Sequence, residues 1–229
     1  MTSRVVVAER VLRANDELAQ GNRARLEAAA VFSLNVMASP GAGKTSLIER
    51  SIRGLSDRIR LAVIDGDLAT SLDADRASAA GARAVQINTA GQCHLDAAMV
   101  GRGLDALDLT GVDLLIVENV GNLVCPVEFA LGTHRNVLVA SVPEGDDKPY
   151  KYPASYRGMD VVVLNKIDLL PHVPFDRARF RHGVEVLNPD VQILEMSCTT
   201  GEGLGAWLDW VVDQVEAHRA LKEGRGGRA

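Results

Sequence analysis

Seven short apolar runs punctuate the chain: VFSLNVMA (31–38), RLAVID (60–65), AVQIN (84–88), DLLIVE (113–118), NVLVASV (136–142), DVVVLN (160–165) and VQILEMS (191–197). Several are nearly continuous in Val, Ile and Leu, as strands covered on both faces require. Between them lie segments with apolar residues at helical spacing: TSLIERSIRGL (45–55), CHLDAAMVGRGLDAL (93–107), FDRARFRHGVEVL (175–187) and GLGAWLDWVVDQVEAHRAL (203–221). Residues 4 to about 30 repeat Val, Leu and Ala among charges on the same period, which predicts a lead-in helix or two. Strands alternating with helices predict an α/β fold: a mostly parallel sheet of about seven strands with helices on both faces. In such a sheet ligands meet the loops at the carboxyl ends of the strands. Every motif below falls there.

Composition narrows the class. At 229 residues, 47% hydrophobic and 24% charged, the chain reads as one globular domain. Its net charge of −5 gives no positive field for nucleic acid or anionic lipid. No apolar run approaches the roughly 18–20 residues of a membrane span, and MTSRVVVAER has no signal-peptide core. Three widely spaced cysteines, Cys93, Cys125 and Cys198, make no disulfide framework and suit a reducing compartment. The expectation is a cytoplasmic protein without nucleic-acid or membrane partners.

ASPGAGKTS (38–46) follows the first core strand and opens a helix, the context a phosphate loop requires. Gly43, Lys44 and Thr45 fit the pattern, while Ala38 stands where it has glycine. Gly41, Ala42, Gly43 and Ser46 complete the loop, whose backbone N–H groups would wrap phosphates. Lys44 would neutralise the β and γ phosphates, and Thr45 would place its hydroxyl on Mg²⁺. VLNKIDLL (163–170) ends a buried strand with Asn165, Lys166 and Asp168. A carboxylate at Asp168 accepts from guanine N1–H and N2–H₂ together, a pair adenine does not offer. SCTTGEGL (197–204) resembles the further loop that supports the base, with Cys198 packing at its small-residue position.

Acidic residues lie between these motifs. Asp65, Asp67, Asp73 and Asp75 occupy IDGDLATSLDADR (64–76), and Glu118 ends DLLIVE. Asp67 and Glu118 are read as Mg²⁺ and catalytic residues beside Lys44, and Asp73 as a helix cap. Gly121 would let backbone approach a γ-phosphate. No glutamine follows it to orient water and no arginine is placed as a finger, so intrinsic hydrolysis is expected at roughly 10⁻⁴ to 10⁻² per second.

Cys93 and His94 adjoin in AGQCHLDAAMV (90–100), and Cys125 lies seven residues past Glu118 in NVGNLVCPVEF (119–129). A thiolate pair with an imidazole suits Zn²⁺ or Ni²⁺ rather than Mg²⁺. Three ligands leave a tetrahedral site open, so water or a second subunit would complete it. His134, His172, His182 and His218 read as surface residues.

SPGAGKT, GDLATSLDADR, GQCHLDAAMV, ENVGNLVCP, KPYKYP and NKIDLL, in this order, resemble the HypB family of hydrogenase nickel-incorporation GTPases. The resemblance runs from about residue 30 to 205. It implies a P-loop NTPase of the SIMIBI class; with the helical spacing before residue 30 and the low-complexity tail, the chain divides into 1–30 as a helical lead-in, 31–223 as the GTPase domain and 224–229 as a disordered tail. It also implies GTP/GDP and Mg²⁺ as cofactors, and Ni²⁺ or Zn²⁺ on Cys93, His94 and Cys125 at a subunit interface. The expected partners are a GTP-dependent homodimer, hydrogenase maturation proteins and the hydrogenase large-subunit precursor. Many relatives carry a cysteine-rich motif or histidine arm near the N-terminus; here no cysteine or histidine precedes Cys93, which argues against storage. Some relatives place further histidines after the Cys-His pair, whereas Ala98 and Arg102 stand here, arguing against a second ion at that site. The alternatives are a urease accessory nickel GTPase, whose Cys-Pro-His motif differs, a non-enzymatic metal-binding protein, and a signalling GTPase with structural zinc.

Overall fold

A computed structural model describes residues 7–66, 77–89 and 91–226. The chain order is α1 (Val7–Ala28), β1 (Phe32–Ala38), α2 (Lys44–Leu55), β2 (Leu61–Asp65), β3 (Arg83–Gln86), α3 (Ala97–Ala106), β4 (Leu114–Gly121), β5 (Arg135–Ser141), α4 (Lys148–Lys151), α5 (Pro153–Arg157), β6 (Val161–Asn165), α6 (Arg177–Leu187), β7 (Gln192–Glu195) and α7 (Leu204–Gly226). The strands form one seven-stranded sheet in the order β3-β2-β4-β1-β5-β6-β7. Every pairing is parallel.

The sheet is covered on both faces, which is why its strands are apolar throughout. On one face Leu34, Val36, Ile116 and Val139 pack under α2 and α7, whose Trp207 is 1% exposed. The Trp207 indole N–H donates to Ser51 Oγ at 2.8 Å, and Ser51 Oγ donates to Leu47 O at 2.7 Å, so the buried polar atoms are paired. On the other face Leu26 of α1 meets Met99, Val100 and Leu104 of α3 over Leu115 and Val117. Farther along that sheet Tyr156 and Phe180 cover Leu138, Val162 and Leu164. A fully buried aliphatic side chain contributes about 1.5–3 kcal/mol, and these layers hold the loop-bearing edge in place.

Several boundaries differ from the periodicity. The helix expected over 93–107 begins at Ala97, because Asp96 accepts the Met99 N–H at 2.7 Å and caps it. Cys93 and His94 therefore occupy the turn before the helix. β4 continues past Glu118 to Gly121, and KPYKYP forms the short helices α4 and α5, split at Tyr152 before Pro153. Among the described residues one helix, α1, precedes β1, within the expectation of a lead-in helix or two. The last helix continues to Gly226, into the segment expected as a disordered tail.

Candidate functional site

β1 delivers the chain to the phosphate loop at the centre of the sheet, where strand order reverses. Gly41 (φ +77°) and Gly43 (φ +102°) adopt left-handed backbone there. A Cβ on Gly43 would stand 2.3 Å from Asn165 Nδ2, so only glycine fits. Gly43 precedes α2 without a side-chain cap, leaving helix N–H groups directed at the loop, an arrangement suited to anions. Glu118 is 2% exposed and its Oε1 accepts from Lys44 Nζ at 2.7 Å and Thr45 Oγ1 at 2.6 Å. Asp65 lies beside Glu118 in the β2–β4 register and is fully buried. A hydroxyl and a buried carboxylate this close are the hard oxygen donors Mg²⁺ takes. Asp67, with Asp73 and Asp75, lies outside the described residues. Gly121 backs onto the loop, its would-be Cβ 3.3 Å from Pro40 Cα.

The second strand end brings Asn165, Lys166 and Asp168 against the same loop. Asn165 Nδ2 donates to Ala42 O at 2.9 Å while its Oδ1 accepts the Cys198 N–H at 3.1 Å, joining the phosphate loop to the 197–204 loop. Lys166, at φ +61°, donates from Nζ to Gly41 O at 2.6 Å. Asp168 Oδ1 is buried with no hydrogen-bond partner among the described residues. A buried acceptor left unpaired costs about 1–3 kcal/mol, which a ligand with N–H donors would recover. Burial raises the Cys198 thiol to about 11, so it packs as a neutral group and contributes its backbone. Arg50, without a signal in the sequence, donates to Cys198 O at 2.8 Å and Thr199 O at 3.1 Å, bracing this loop from α2.

Cys93, His94 and Cys125 each offer an atom within 4.8 Å of the others. Cys93 Sγ lies 2.9 Å from Cys125 Sγ and 3.7 Å from His94 Nδ1, and neither cysteine is in a disulfide. The His94 ring stacks on Phe129 at 4.1 Å between centroids. The neighbouring Cys93 thiol raises the Cys125 thiol above its usual range; a cation between them would reverse that effect. Cys93 is exposed and Cys125 half-buried, so the group lies at the surface. Two asparagines that sequence reasoning missed hold its loop. Asn119 Oδ1 accepts the Leu95 N–H at 3.0 Å, and Asn122 Nδ2 donates to Cys93 O at 3.2 Å. His134 and His218 are not surface residues: the His134 side chain is 5% exposed and His218 is 7% exposed.

An all-parallel sheet with a glycine-bearing phosphate loop at its reversal point, faced by Asn165 and Asp168, defines a P-loop nucleotide-binding protein. The family described as CobW/HypB/UreG, nucleotide-binding domain, matches residues 33–195. The hydrogenase maturation factor HypB of Azotobacter vinelandii is 49% identical over 208 residues, spanning 91% of this chain and 69% of that protein. The solved structure of HypB from Helicobacter pylori in complex with nickel is similar at a TM-score of 0.85 and 36% identity, covering 89% of this chain and 96% of that one. An LAO/AO transport system kinase shares the fold, at a TM-score of 0.57 and 18% identity over 99% of this chain and 84% of its own. The chain belongs to the HypB family. No helix among the described residues is long and apolar enough to cross a membrane.

Proposed function

We propose that this protein is a GTP-hydrolysing metallochaperone of the cytoplasm that binds nickel or zinc and assists nickel insertion into nickel–iron hydrogenase. GTP-dependent homodimerisation is coupled to metal binding, and the partners are hydrogenase maturation proteins and the large-subunit precursor. The observation that carries this reading is the continuity of β4: Glu118 touches Lys44 and Thr45, and the next turns of chain, through Asn119 and Asn122, hold the Cys93 loop. The names of the relatives and the nickel complex of one of them support the assignment to hydrogenase maturation.

Lys44 neutralises the β and γ phosphates, while Thr45 and Glu118 are the residues that would hold Mg²⁺, with Asp67 added from the segment that follows β2. Mg²⁺ when bound supplies charge neutralisation on the phosphate oxygens. Asp168 accepts from two guanine donors, and Asn165 fixes the distance between the phosphate and base loops. Phosphate binding draws the Lys44 ammonium off Glu118, freeing that carboxylate. Gly121 then allows backbone to follow the γ-phosphate. Nickel is the cargo, held by the Cys93 and Cys125 thiolates and the His94 imidazole. Val124, 55% exposed beside Cys125, supplies an apolar contact for a second subunit across a two-fold axis.

The test is titration of Ni²⁺ and Zn²⁺ in GDP and in a non-hydrolysable GTP analogue, with mass followed by light scattering. Metal affinity should differ between the two states by roughly 5- to 150-fold, and by linkage metal should change nucleotide affinity by the same factor. Equal metal affinity in both states with a monomer throughout would refute the coupling.

A further inference from the structure

At the opposite edge of the sheet from the phosphate loop, three ionisable side chains converge from separate elements. Glu27 comes from the last turn of α1, His134 from the residue before β5, and His218 from α7. Each offers an atom within 4.8 Å of the others. β1 alone separates them from the phosphate loop by about 20 Å at 3.3 Å per residue, so this cluster shares no residue with the nucleotide site.

The cluster has the makings of a coordination site. His218 is 7% exposed and its Nε2 is buried without a hydrogen-bond partner among the described residues. His134 Nδ1 accepts the Ser33 N–H at 3.1 Å and lies 2.7 Å from Ser33 Oγ, so its proton sits on Nε2, 3.1 Å from Glu27 Oε1. The imidazoles meet edge to face at 4.5 Å, both against the Phe32 ring. Burial holds both histidines below their usual range, His134 at about 4, so each is neutral near pH 7. The Lys222 ammonium, paired with Glu27 Oε2, keeps the carboxylate ionised, and Arg23 Nε reaches Oε1 at 3.3 Å.

We propose that Glu27, His134 and His218 form a second divalent-metal site, binding Zn²⁺ through two imidazole nitrogens and one carboxylate oxygen. Two nitrogens and an oxygen are a zinc donor set; the site lacks the thiolates of a soft-metal centre and the many oxygens of a calcium or magnesium one. A pocket of about 280 Å³, bordered by Arg135, Gln214 and Lys222, opens over the cluster and leaves room for a water as fourth ligand. On binding, the ion displaces the His134 proton from Nε2 and Nδ1 takes one up, exchanging the Ser33 N–H that it accepts for donation to Ser33 Oγ, a rearrangement the metal bonds must offset. A hydrogen-bonded second nitrogen of this kind orients metal-ligating histidines generally. The ion would staple the first and last helices to the start of β5.

The experiment uses the full chain carrying Cys93→Ala and Cys125→Ala, titrated with Zn²⁺ against a chromophoric chelator and with Co²⁺ for its spectrum. The expected result is one retained ion per chain, a cobalt spectrum free of sulfur charge-transfer bands, and loss of roughly tenfold or more in affinity on adding His218→Asn or Glu27→Gln. Lys222→Met leaves all three ligands in place, removes a like charge and frees Glu27 Oε2, so it should tighten binding; this arm separates loss of ligation from loss of fold. No Zn²⁺ binding in the micromolar range, or binding indifferent to His218→Asn and Glu27→Gln, would overturn the proposal.

Discussion

Glu118 and Asn119 are consecutive residues of β4 that reach opposite sides of the sheet. Glu118 Oε1 accepts from Lys44 Nζ and Thr45 Oγ1 at 2.7 and 2.6 Å, and Asn119 Oδ1 accepts the Leu95 N–H at 3.0 Å, two residues from Cys93. Strand geometry alternates side chains between faces, so one short segment touches both the phosphate loop and the metal-bearing loop. Asn119 is itself fixed: its Nδ2 donates to Asn35 Oδ1 at 3.2 Å, and Asn35 Nδ2 donates to Asn136 Oδ1 at 3.1 Å. This buried polar row crosses β4, β1 and β5.

Asn119→Ala should therefore loosen the Cys93 loop without touching the phosphate loop. Buried partners left unpaired cost about 1–3 kcal/mol. Ni²⁺ and Zn²⁺ affinity should fall by roughly tenfold, since 1.4 kcal/mol is one decade, while GTP affinity stays nearly constant. Parallel titrations of metal and nucleotide check this; a loss in nucleotide affinity as large as that in metal would contradict it.

Asp168→Asn replaces a carboxylate whose buried Oδ1 has no partner among the described residues with an amide that presents N–H toward guanine donors. GTP should weaken by about a hundredfold or more, as expected when a hydrogen-bonding site meets the wrong partner, and xanthosine nucleotides should gain. Fluorescent-nucleotide competition with GTP, ATP and XTP gives the order directly. A wild-type chain that binds ATP as tightly as GTP would exclude Asp168 as the base reader.

Lys44→Ala should abolish GTP turnover and also lower stability in the absence of nucleotide. Glu118 is 2% exposed on its side chain and Lys44 12%, so the substitution leaves a carboxylate inside without its cation. Breaking such a pair is destabilising by about 3–5 kcal/mol. Adding Glu118→Gln should restore most of the thermal midpoint but none of the turnover.

Acid should release the link between α7 and the start of β4. Burial alone would raise the Asp113 carboxyl, but the Arg60 N–H, the Arg219 guanidinium and the Arg60 side chain together hold it below the usual carboxylate range. A carboxyl lowered in the folded state adds stability that is fully present above its unfolded value near 3.9 and is lost as pH falls through the folded one. Asp113→Asn should flatten the dependence of unfolding free energy on pH below about 4 and leave its slope at neutral pH unchanged. Denaturant melts across that range measure it.

The sheet and the nucleotide motifs were legible in the sequence because each has a local signature. Continuous Val, Ile and Leu mark covered strands, and SPGAGKT and NKID carry their spacing in a few residues. What escaped was held by contacts distant along the chain. Arg50 supports the base loop across 148 residues of sequence, and Asn119 reaches the Leu95 N–H across 24; neither side chain departs from an ordinary polar residue in its own segment. His134 and His218 read as surface histidines for the same reason, since only the packing of α1 and α7 around Phe32 buries them. The start of α3 was misplaced because CHLDAAMV keeps helical spacing through its own cap at Asp96.

α1 lies before the region that defines the family, yet two of its side chains grip a single residue of α3. Asn15 Oδ1 accepts the Ala97 N–H at 2.9 Å and Asn22 Nδ2 donates to Ala97 O at 2.8 Å, while their amides also hold Ala130 O and Leu131 O. Clamped on both sides of that residue, α3 and the turn bearing Cys93 cannot tilt without carrying α1 along. The helix is a lever laid beneath the sheet: whatever shifts the metal-bearing turn at one end must be felt at the other, where Glu27 meets His134.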